Sequence, residues 1–311
     1  MFTKLAARIG FSKEDIAYLA SCSKQMTATA ELCEKLDQAT DLFLNAGGRA
    51  YEQPLNAIAE ATKIHRYTVD LAFLLLAAPI MQKNYLAKGI DDEIYYNTLQ
   101  DLLAKLAECK RVYGIVGTFV TWWYPDFYTC KRFALGRLQY ERIAFPFDDY
   151  KGILNKGDTV YNCHIPSLGP LTEESVTDSL RRAHAFYKEE LKNAILPVYC
   201  SSWLLHPPTA DAYPKGSNMR AFYEAFDILA KKDDERNPDF WRVFDCNYSP
   251  ENLETAPTRT SLQKNIKAML QGGQPMGHGK GILLFDGEKI LDKNDACLYN
   301  KCVENSMTKR R

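Results

Sequence analysis

The spacing of apolar residues changes near residue 128, and this change constrains the fold of the chain more than any other feature. Before it, apolar residues recur every three or four positions, as they do along one face of a helix. After it, the chain alternates apolar and polar residues or runs through short apolar stretches, as strands do. The sequence therefore predicts a helical N-terminal domain over residues 1–125 and a second domain of strands and helices over residues 126–311.

Four segments of the N-terminal half carry helix signals. "SKEDIAYLASCSKQM" begins at Ser12, a good N-cap, and "TATAELCEKLDQATDLFLNAGG" ends in two glycines, which commonly stop helices. "HRYTVDLAFLLLAAPIMQKNYLAKG" is apolar on most faces, which predicts a central, buried helix. "DDEIYYNTLQDLLAKLAECKRVYG" begins with acids and ends with bases, which complements the dipole of one helix. We expect about four to six helices in a bundle-like module without obvious chemistry.

The C-terminal half has the pattern of a sheet covered by helices. Its predicted strands are "RFALGRLQYERIAF", residues 159–165 after an Asn-Lys-Gly-Asp turn, "ILPVYCSSWLL", "PDFWRVFDCNY" and "GKGILLFDGEKI", the last with a hairpin. Its predicted helices run from Thr172 to about Lys192, through "SNMRAFYEAFDILAKK" with Ser217 or Asn218 as the cap, and through "TSLQKNIKAMLQGG". The fold class is therefore α+β, with a helical N-terminal domain followed by a mixed β-sheet flanked by helices.

Composition argues against several classes of protein. The formal net charge is zero and the pI is near 6.9, so no basic field points to nucleic acid or to an anionic membrane surface. The longest apolar run, Leu71–Met81, is too short to span a bilayer, and the N-terminus lacks the apolar core of a signal peptide. The nine cysteines have irregular spacings and no Cys-x-x-Cys pair, which favours free thiols in a reducing compartment. We expect a soluble, cytoplasmic protein.

One segment, Tyr161–Leu180, joins a histidine to the start of a helix. An apolar run ends in His164, a loop of prolines and glycine follows, and Thr172 can cap the next helix. The amides of residues 171–174 would form a positive pole that suits a phosphate, and Gly169 would let the backbone approach a ligand closely. Two glutamates in the first turn, however, place negative charge at the same pole. An ordinary capped crossover helix gives the same pattern.

The order of these elements matches the GNAT-like acyltransferase fold. More closely, the blocks "LGRLQYE", "HIPSLGPLT", "CSSWLL" and "SNMRAF" resemble those of a group of bacterial acyltransferase-domain proteins. Members of this group join a helical N-acyltransferase N-terminal domain to a GNAT-like C-terminal domain. The resemblance covers nearly the whole chain and is most specific over residues 133–226. It implies the transfer of an acyl group from acyl-coenzyme A to an amine.

The resemblance also implies where coenzyme A would bind. Ordinary members of the superfamily hold its pyrophosphate with a Gln/Arg-x-x-Gly-x-Gly/Ala loop. Residues 166–171 keep one glycine of that pattern and add a proline, which lacks an amide donor. The implied cofactor-binding residues are Ile165, Ser167, Gly169, Leu171 and Thr172, with Asn218 from an Asn-x-x-Ala motif. Ordinary members carry a tyrosine acid seven residues after that Asn. The nearest here is Tyr223, five residues after it and about 200° around the helix from the usual place.

Acyl transfer from a thioester needs a base for the amine and donors for the oxyanion, and an acid can protonate the leaving thiolate. His164 ends the strand that splays from its neighbour in this fold, and histidine suits a base at neutral pH. Glu141 shares its strand parity with Arg137 and Gln139, which predicts either a polar pocket or a solvent-exposed face. The base is therefore expected to be His164 or Glu141, with strand amides near His164 and Ile165 as the oxyanion donors.

Other residues have weaker claims on chemistry. Cys200 could be a covalent nucleophile with His164 as its partner, although buried cysteines are mostly inert packing. Arg181 and Arg182 could reach a phosphate. The stretch "GGQPMGHGKGILLF" follows a helix and precedes a strand, the reverse of a nucleotide-binding loop, so we expect a flexible connection or a lid that carries His278. No pair of histidines has the spacing of a metal site.

Together these features predict an acyl-CoA-dependent N-acyltransferase that works by direct attack in a ternary complex. Coenzyme A, carried in as acyl-CoA, would be the cosubstrate, and a small-molecule or peptide amine would be the acceptor. Neither nucleic acid nor a membrane is expected as a partner. The alternative is a catalytically degenerate GNAT-like module that binds a ligand or a protein, which the altered loop and the displaced tyrosine would explain.

Overall fold

The computed structural model describes residues 2–293, and Cys297 and Cys302 lie outside this range. The contacts divide the chain into two compact units, the first ending at Ala134 and the second beginning at Leu135. The domain limits 1–125 and 126–311, drawn from the sequence, remain predictions.

The first unit is built from helices, as predicted, but its described residues form eight of them rather than about four to six. They are α1 (Phe2–Arg8), α2 (Lys13–Met26), α3 (Ala30–Asn45), α4 (Glu52–Thr62), α5 (Arg66–Ala87), α6 (Asp92–Leu99), α7 (Asp101–Tyr113) and α8 (Pro125–Tyr128). Ser12 caps α2, because its hydroxyl accepts a hydrogen bond from the Asp15 amide at 3.1 Å. The single helix expected after residue 90 is instead α6 and α7. A new helix starts at Asp101, whose buried carboxylate accepts a hydrogen bond from Tyr124.

The long apolar segment forms α5, and its residues from Thr68 to Leu75 are all buried, as its composition predicted. Tyr128 of α8 donates a hydrogen bond to the Leu74 carbonyl at 2.6 Å within this core. No single helix among residues 2–293 has the length and apolar character needed to cross a membrane. α4 and α5 meet those criteria only as a pair, and they are bent by 117° where they join.

A mixed sheet with flanking helices follows, which confirms the predicted fold class. The strands are β1 (Arg132–Leu135), β2 (Leu138–Ala144), β3 (Asp149–Tyr150), β4 (Leu154–Asn155), β5 (Thr159–His164), β6 (Leu196–Ser202), β7 (Asp227–Asp233) and β8 (Gly277–Phe285). Six of them form one sheet in the order β1-β2-β5-β6-β8-β7, and β3 pairs with β4. β5 and β6 run parallel, whereas β2 with β5, β6 with β8 and β7 with β8 run antiparallel.

The remaining helices lie between these strands. They are α9 (Glu173–Phe186), α10 (Pro207–Asp211), α11 (Asn218–Glu224), α12 (Trp241–Phe244), α13 (Pro250–Thr255) and α14 (Ser261–Gln271). Thr172 caps α9 and Thr260 caps α14, and Thr260 completes a capping box with Gln263. α9 ends at Phe186 rather than near Lys192, because the chain then passes through two short 3-10 turns.

Two predictions about element type in the second unit are wrong. The segment "SNMRAFYEAFDILAKK" is half helix, α11, and half strand, β7, because pairing with β8 overrides the helical pattern after Glu224. The segment "PDFWRVFDCNY" contains α12 instead of a strand. Phe240, Val243 and Phe244 have helical spacing and pack together in one apolar cluster, and a short apolar run does not separate helix from strand.

The predicted strand "RFALGRLQYERIAF" is a hairpin, since the chain turns at Gly136 between β1 and β2. Gly136 has φ of 78°, which favours glycine, and a Cβ atom there would lie 3.2 Å from Ser179 Cα. The buried Ser179 hydroxyl accepts a hydrogen bond from the Leu138 amide at 3.0 Å and donates to the Leu135 carbonyl at 2.5 Å. One serine of α9 thus bonds to both ends of the turn.

The two parallel strands pair over a short stretch only. Tyr161 is paired with Val198 and Asn162 with Tyr199, and no further pair follows in the described ladder. β5 nevertheless continues to His164 and β6 to Ser202. The sheet is therefore open between the C-terminal ends of β5 and β6, at its centre.

The glycine-rich stretch near residue 277 is not a lid. Gly277, Gly279 and Gly281 lie in β8, where they pair with β7 and β6. A Cβ atom on Gly279 would lie 1.7 Å from the Leu205 carbonyl oxygen, so glycine is needed for the close approach of two backbones. His278 is part of the same strand.

We expect Gly279→Ala to lower the free energy of unfolding by about 3 kcal/mol or more, because the new methyl group overlaps backbone atoms that cannot rotate away. The matched control is Gly272→Ala, whose Cβ atom would meet its nearest neighbours at 3.4 Å and whose φ is −76°. That control should stay within about 0.5 kcal/mol of the parent protein. Urea unfolding of the parent protein and the two variants measures these free energies. Equal midpoints for the parent and Gly279→Ala would contradict the packing described for β8.

Candidate active site

Three polar side chains meet on one face of the sheet, beside the opening between β5 and β6. Glu141 Oε1 accepts a hydrogen bond from Asn162 Nδ2 at 2.9 Å and lies 2.8 Å from His164 Nε2. Asn162 Nδ2 lies 3.2 Å from the same histidine nitrogen. The side chains of Glu141 and His164 are 16% and 19% exposed, so water screens their interaction only weakly. We refer to these residues as the Glu141–Asn162–His164 cluster.

The register of β2 against β5 creates this cluster. Glu141 pairs with Asn162 and Gln139 pairs with His164 across the antiparallel ladder. Since alternate residues of a strand face the same side, all four side chains share one face. The structure thus brings together the two predicted candidates for the base, which the sequence could not show to be neighbours. Asn162 was missed, although its position two residues before His164 was a usable signal.

β6 adds polar groups to the same face across the opening. Tyr199 is the register partner of Asn162, so Tyr199 and Ser201 face the side of the cluster. Ser201 is exposed. Ser202 faces the other side, where its hydroxyl accepts a hydrogen bond from the Leu204 amide at 3.2 Å. Of the two serines at the end of β6, only Ser201 can therefore take part in a site on this face.

Arg137 does not extend the polar face of β2, because it lies in the turn before that strand. Its guanidinium donates hydrogen bonds to three carbonyl oxygens of the loop after β5. Nη1 bonds to Pro166 at 2.8 Å, Nη2 to Gly169 at 2.8 Å, and Nε to Pro170 at 3.1 Å. The expectation that Arg137, Gln139 and Glu141 share a strand face is therefore wrong for Arg137.

The loop after β5 leads directly into the capped start of α9. The Thr172 hydroxyl accepts a hydrogen bond from the Ser175 amide at 3.2 Å, as an N-cap does. Gly169 has φ of 80°, and a Cβ atom there would meet nothing within 4 Å, so the loop is open on that side. Leu171 is buried, while Glu173 and Glu174 are exposed. The predicted residues of the phosphate loop, with Ile165 and Ser167, thus lie between the end of β5 and the start of α9.

Helix α11, which contains the Asn-x-x-Ala motif, carries the predicted site residues Asn218 and Tyr223. Ser217 is the N-cap of α11, and Asn218 is its first residue. Tyr223 is half-buried, with the Arg220 guanidinium 5.5 Å from its ring centre. Burial raises the pKa of the Tyr223 hydroxyl, which is consequently protonated at neutral pH. The roles of Asn218 and Tyr223 remain predictions.

Two histidines outside the cluster have structural partners. His206 is fully buried, with Nδ1 2.8 Å from the Thr209 hydroxyl and Nε2 2.7 Å from Asp233. His278 Nε2 lies 3.1 Å from the Asp239 carboxylate. Burial lowers the pKa of His206 more than Asp233 raises it. Within residues 2–293, no group of three His, Cys, Asp or Glu side chains could hold a metal ion.

Cys200 is unsuited to nucleophilic chemistry. It is fully buried, and its hydrogen bond with Cys163 and its burial together hold the pKa of its thiol well above the ordinary range. A thiolate, not a thiol, is the attacking species, so Cys200 at neutral pH is inert. This speaks against the covalent alternative that the sequence left open.

We expect iodoacetamide at pH 8 to leave Cys163 and Cys200 unmodified in the folded protein, because both thiols are buried. Cys33, which is partly exposed, should be alkylated under the same conditions and serves as the control. Peptide mass spectrometry after increasing reaction times distinguishes the sites. Alkylation of Cys200 as fast as Cys33 would contradict this assignment and reopen the covalent route.

Two family models match the chain. Residues 2–130 match the family model of the N-acyltransferase N-terminal domain, and residues 133–283 match that of the GNAT-like C-terminal domain. Among curated proteins, no relative matches the chain.

Several solved structures share the fold. One is an acyltransferase in complex with decanoyl-CoA and teicoplanin, at 20% identity and a TM-score of 0.67, covering 90% of this chain and 86% of that one. A mutant acyltransferase in complex with octanoyl-CoA gives the same values. An acyltransferase in complex with CoA and 10C-teicoplanin has 19% identity and a TM-score of 0.58, covering 90% of this chain and 98% of that one.

The two family models follow one another in the sequence and leave only residues 131–132 between them, so together they span residues 2–283. The chain belongs to the acyltransferases that join an N-acyltransferase N-terminal domain to a GNAT-like C-terminal domain.

Proposed function

We propose that this protein transfers an acyl group from acyl-CoA to an amine by direct attack, with the Glu141–Asn162–His164 cluster as the proton acceptor. The observation that carries the proposal is the position of this cluster. It lies at the end of β5, where the sheet opens and where the chain runs into the capped N-terminus of α9. A base and an anion-binding helix end therefore flank the same opening.

His164 is the better base of the two candidates. A neutral imidazole has one donor and one acceptor nitrogen, and a carboxylate only accepts. Because Nε2 faces Glu141, we assign the proton to Nε2 and the acceptor role to Nδ1. Glu141 would then hold the ring in this tautomer and stabilise the imidazolium that forms when the amine loses its proton. Asn162 donates to Glu141 and keeps that carboxylate in place.

The thioester carbonyl gains negative charge as the amine attacks, and hydrogen-bond donors must meet that charge. The amides of His164 and Ile165 lie beyond the last residue pair between β5 and β6, so they are the donors we propose. The leaving thiolate takes a proton from an acid, and Tyr223 remains our candidate because its hydroxyl stays protonated at neutral pH.

Coenzyme A would place its pyrophosphate on the loop between β5 and α9. Three residues of the loop would face it through their backbone: Ser167, Gly169 and Leu171. Thr172 caps α9 behind them, and Asn218 would contact the pyrophosphate from α11. The loop fits this role because its open side has no side chain near Gly169. We further propose a peptide or small-molecule amine as acceptor, since teicoplanin accompanies acyltransferases of this fold. The free thiols of all seven described cysteines suit a cytoplasmic site of action.

The first experiment measures release of the CoA thiol from decanoyl-CoA and octanoyl-CoA, with and without an added amine. Teicoplanin is the first acceptor to include, followed by peptides with a free amino group. Acceptor-dependent thiol release with an acylated product, identified by mass spectrometry, would support the proposal. A thermal-shift titration covers the cosubstrate separately, because binding stabilises the folded state by mass action. No shift and no thiol release at millimolar thioester would refute the acyl-CoA proposal.

We expect His164→Gln to lower kcat by about 100-fold or more with little change in KM for acyl-CoA, because it removes the base without touching the phosphate loop. Glu141→Gln should lower kcat by about 10-fold, since the ring loses its orienting carboxylate. His184→Gln, in α9 and outside the cluster, is the matched control and should retain full activity. Unchanged kcat in the His164→Gln variant would mean that another residue is the base.

A further inference from the structure

Arg137 occupies an unusual place for an arginine, because three backbone carbonyls of one loop accept its hydrogen bonds. The loop comprises residues 166–170, and the guanidinium reaches it from the turn between β1 and β2. The turn itself is fixed, since Gly136 supplies its left-handed conformation and Ser179 bonds to the residues on both sides of it. Burial lowers the pKa of Arg137, which reflects how much water its head group has lost.

The peptide geometry shows what these bonds do. In a trans peptide the carbonyl of one residue and the amide of the next point in opposite directions. The chain has no cis peptide bond among the described residues. By holding the Pro166 carbonyl, Arg137 therefore turns the Ser167 amide away from itself, and by holding the Pro170 carbonyl it turns the Leu171 amide away in the same manner.

The third bond completes this arrangement. The Gly169 carbonyl that accepts from Nη2 belongs to the peptide before Pro170, and proline has no amide hydrogen. No donor is consequently lost in that peptide. The loop presents its carbonyls to Arg137 and its amides to the opposite side, which is the polarity that an anion requires.

We propose that Arg137 is a positioning residue that orders the loop 166–170 so that the amides of Ser167 and Leu171 are set for the pyrophosphate of acyl-CoA. This inference rests on the proposed function. The loop lacks the arginine or glutamine and the second glycine of the ordinary pyrophosphate pattern, and Arg137 supplies the order from the neighbouring hairpin. Its effect is preorganisation: the loop is ordered before the ligand arrives, so binding costs less conformational entropy.

A lysine at position 137 separates the effect of the guanidinium geometry from the effect of its positive charge. Arg137→Lys keeps the positive charge but cannot bridge three carbonyls in a fixed plane. The matched control is Arg142→Met, because Arg142 lies on the adjoining strand β2 and has its own partner, Glu190, at 2.6 Å. Arg137→Met tests the loss of both charge and geometry.

The test compares decanoyl-CoA with decanoyl-pantetheine, which lacks the pyrophosphate together with the 3′-phosphoadenosine attached to it, by calorimetric titration of the full chain. We expect Arg137→Lys to weaken decanoyl-CoA binding by about 10-fold or more and to leave decanoyl-pantetheine binding within about 2-fold of the parent. Arg142→Met should bind both ligands as the parent does. Hydrogen exchange should be faster at Ser167 and Leu171 in Arg137→Lys, with melting of the protein otherwise similar.

The possible outcomes are separable. Equal weakening of both ligands would mean that Arg137 supports the fold generally, and unchanged binding of both would mean that the loop does not depend on it. Either result overturns the inference while leaving the acyl-CoA proposal intact. Parent affinity for decanoyl-CoA in Arg137→Lys, with weakened binding in Arg137→Met, would assign the effect to charge alone and would likewise overturn the positioning role. If the parent protein binds neither ligand, the proposed function fails and this inference fails with it.

Discussion

The early end of pairing between β5 and β6 is the constraint on which the rest of the site depends. A parallel pair normally continues to the ends of both strands, and each backbone group beyond the last pair needs another partner. Here the pairing ends with Asn162 and Tyr199, while both strands run on. In the proposed complex, the amide groups of the pantetheine arm can take the place of the missing neighbour, much as an added strand does. In that complex, the opening would suit an extended ligand with alternating polar groups.

Strand β2 and the turn before it connect the Glu141–Asn162–His164 cluster with the loop before α9. Arg137 precedes β2 and holds the loop before α9, and Glu141 on the same strand lies against His164. Ser179 bonds to both ends of the turn before β2 and lies 3.1 Å from the Tyr140 hydroxyl, so this one serine joins α9 to the turn and to the start of the strand. A displacement of β2 would move the proposed base and the proposed phosphate loop together. That coupling explains why a buried serine and a tight turn occur at this point of an otherwise apolar interface.

The sequence predicted the elements with strong local signals and failed where tertiary contacts decide. Ser12, the buried α5 and Thr172 at the start of α9 all have signals within a few residues, and the structure confirms each. β7 follows α11 without a break signal, and only its pairing with β8 makes it a strand. The hairpin at Gly136 had a signal that was not used: a glycine in the first position of a two-residue turn between apolar residues. Missing that turn placed Arg137 on a strand face and concealed its contact with the loop.

The acidic first turn of α9 looks unfavourable for a phosphate, but the proposed complex also places two positive groups at this end. Glu173 and Glu174 are exposed, so water and salt screen them, and they stabilise the helix through its dipole. Arg137 is partly buried, and a guanidinium stays charged at neutral pH. Its charge acts through a medium of lower dielectric and is therefore screened less than theirs. In the proposed complex, the positive pole of the helix and the guanidinium behind the loop would therefore act against the repulsion from two solvated carboxylates. The glutamates that argued against a phosphate in the sequence thus stabilise the helix without closing its end.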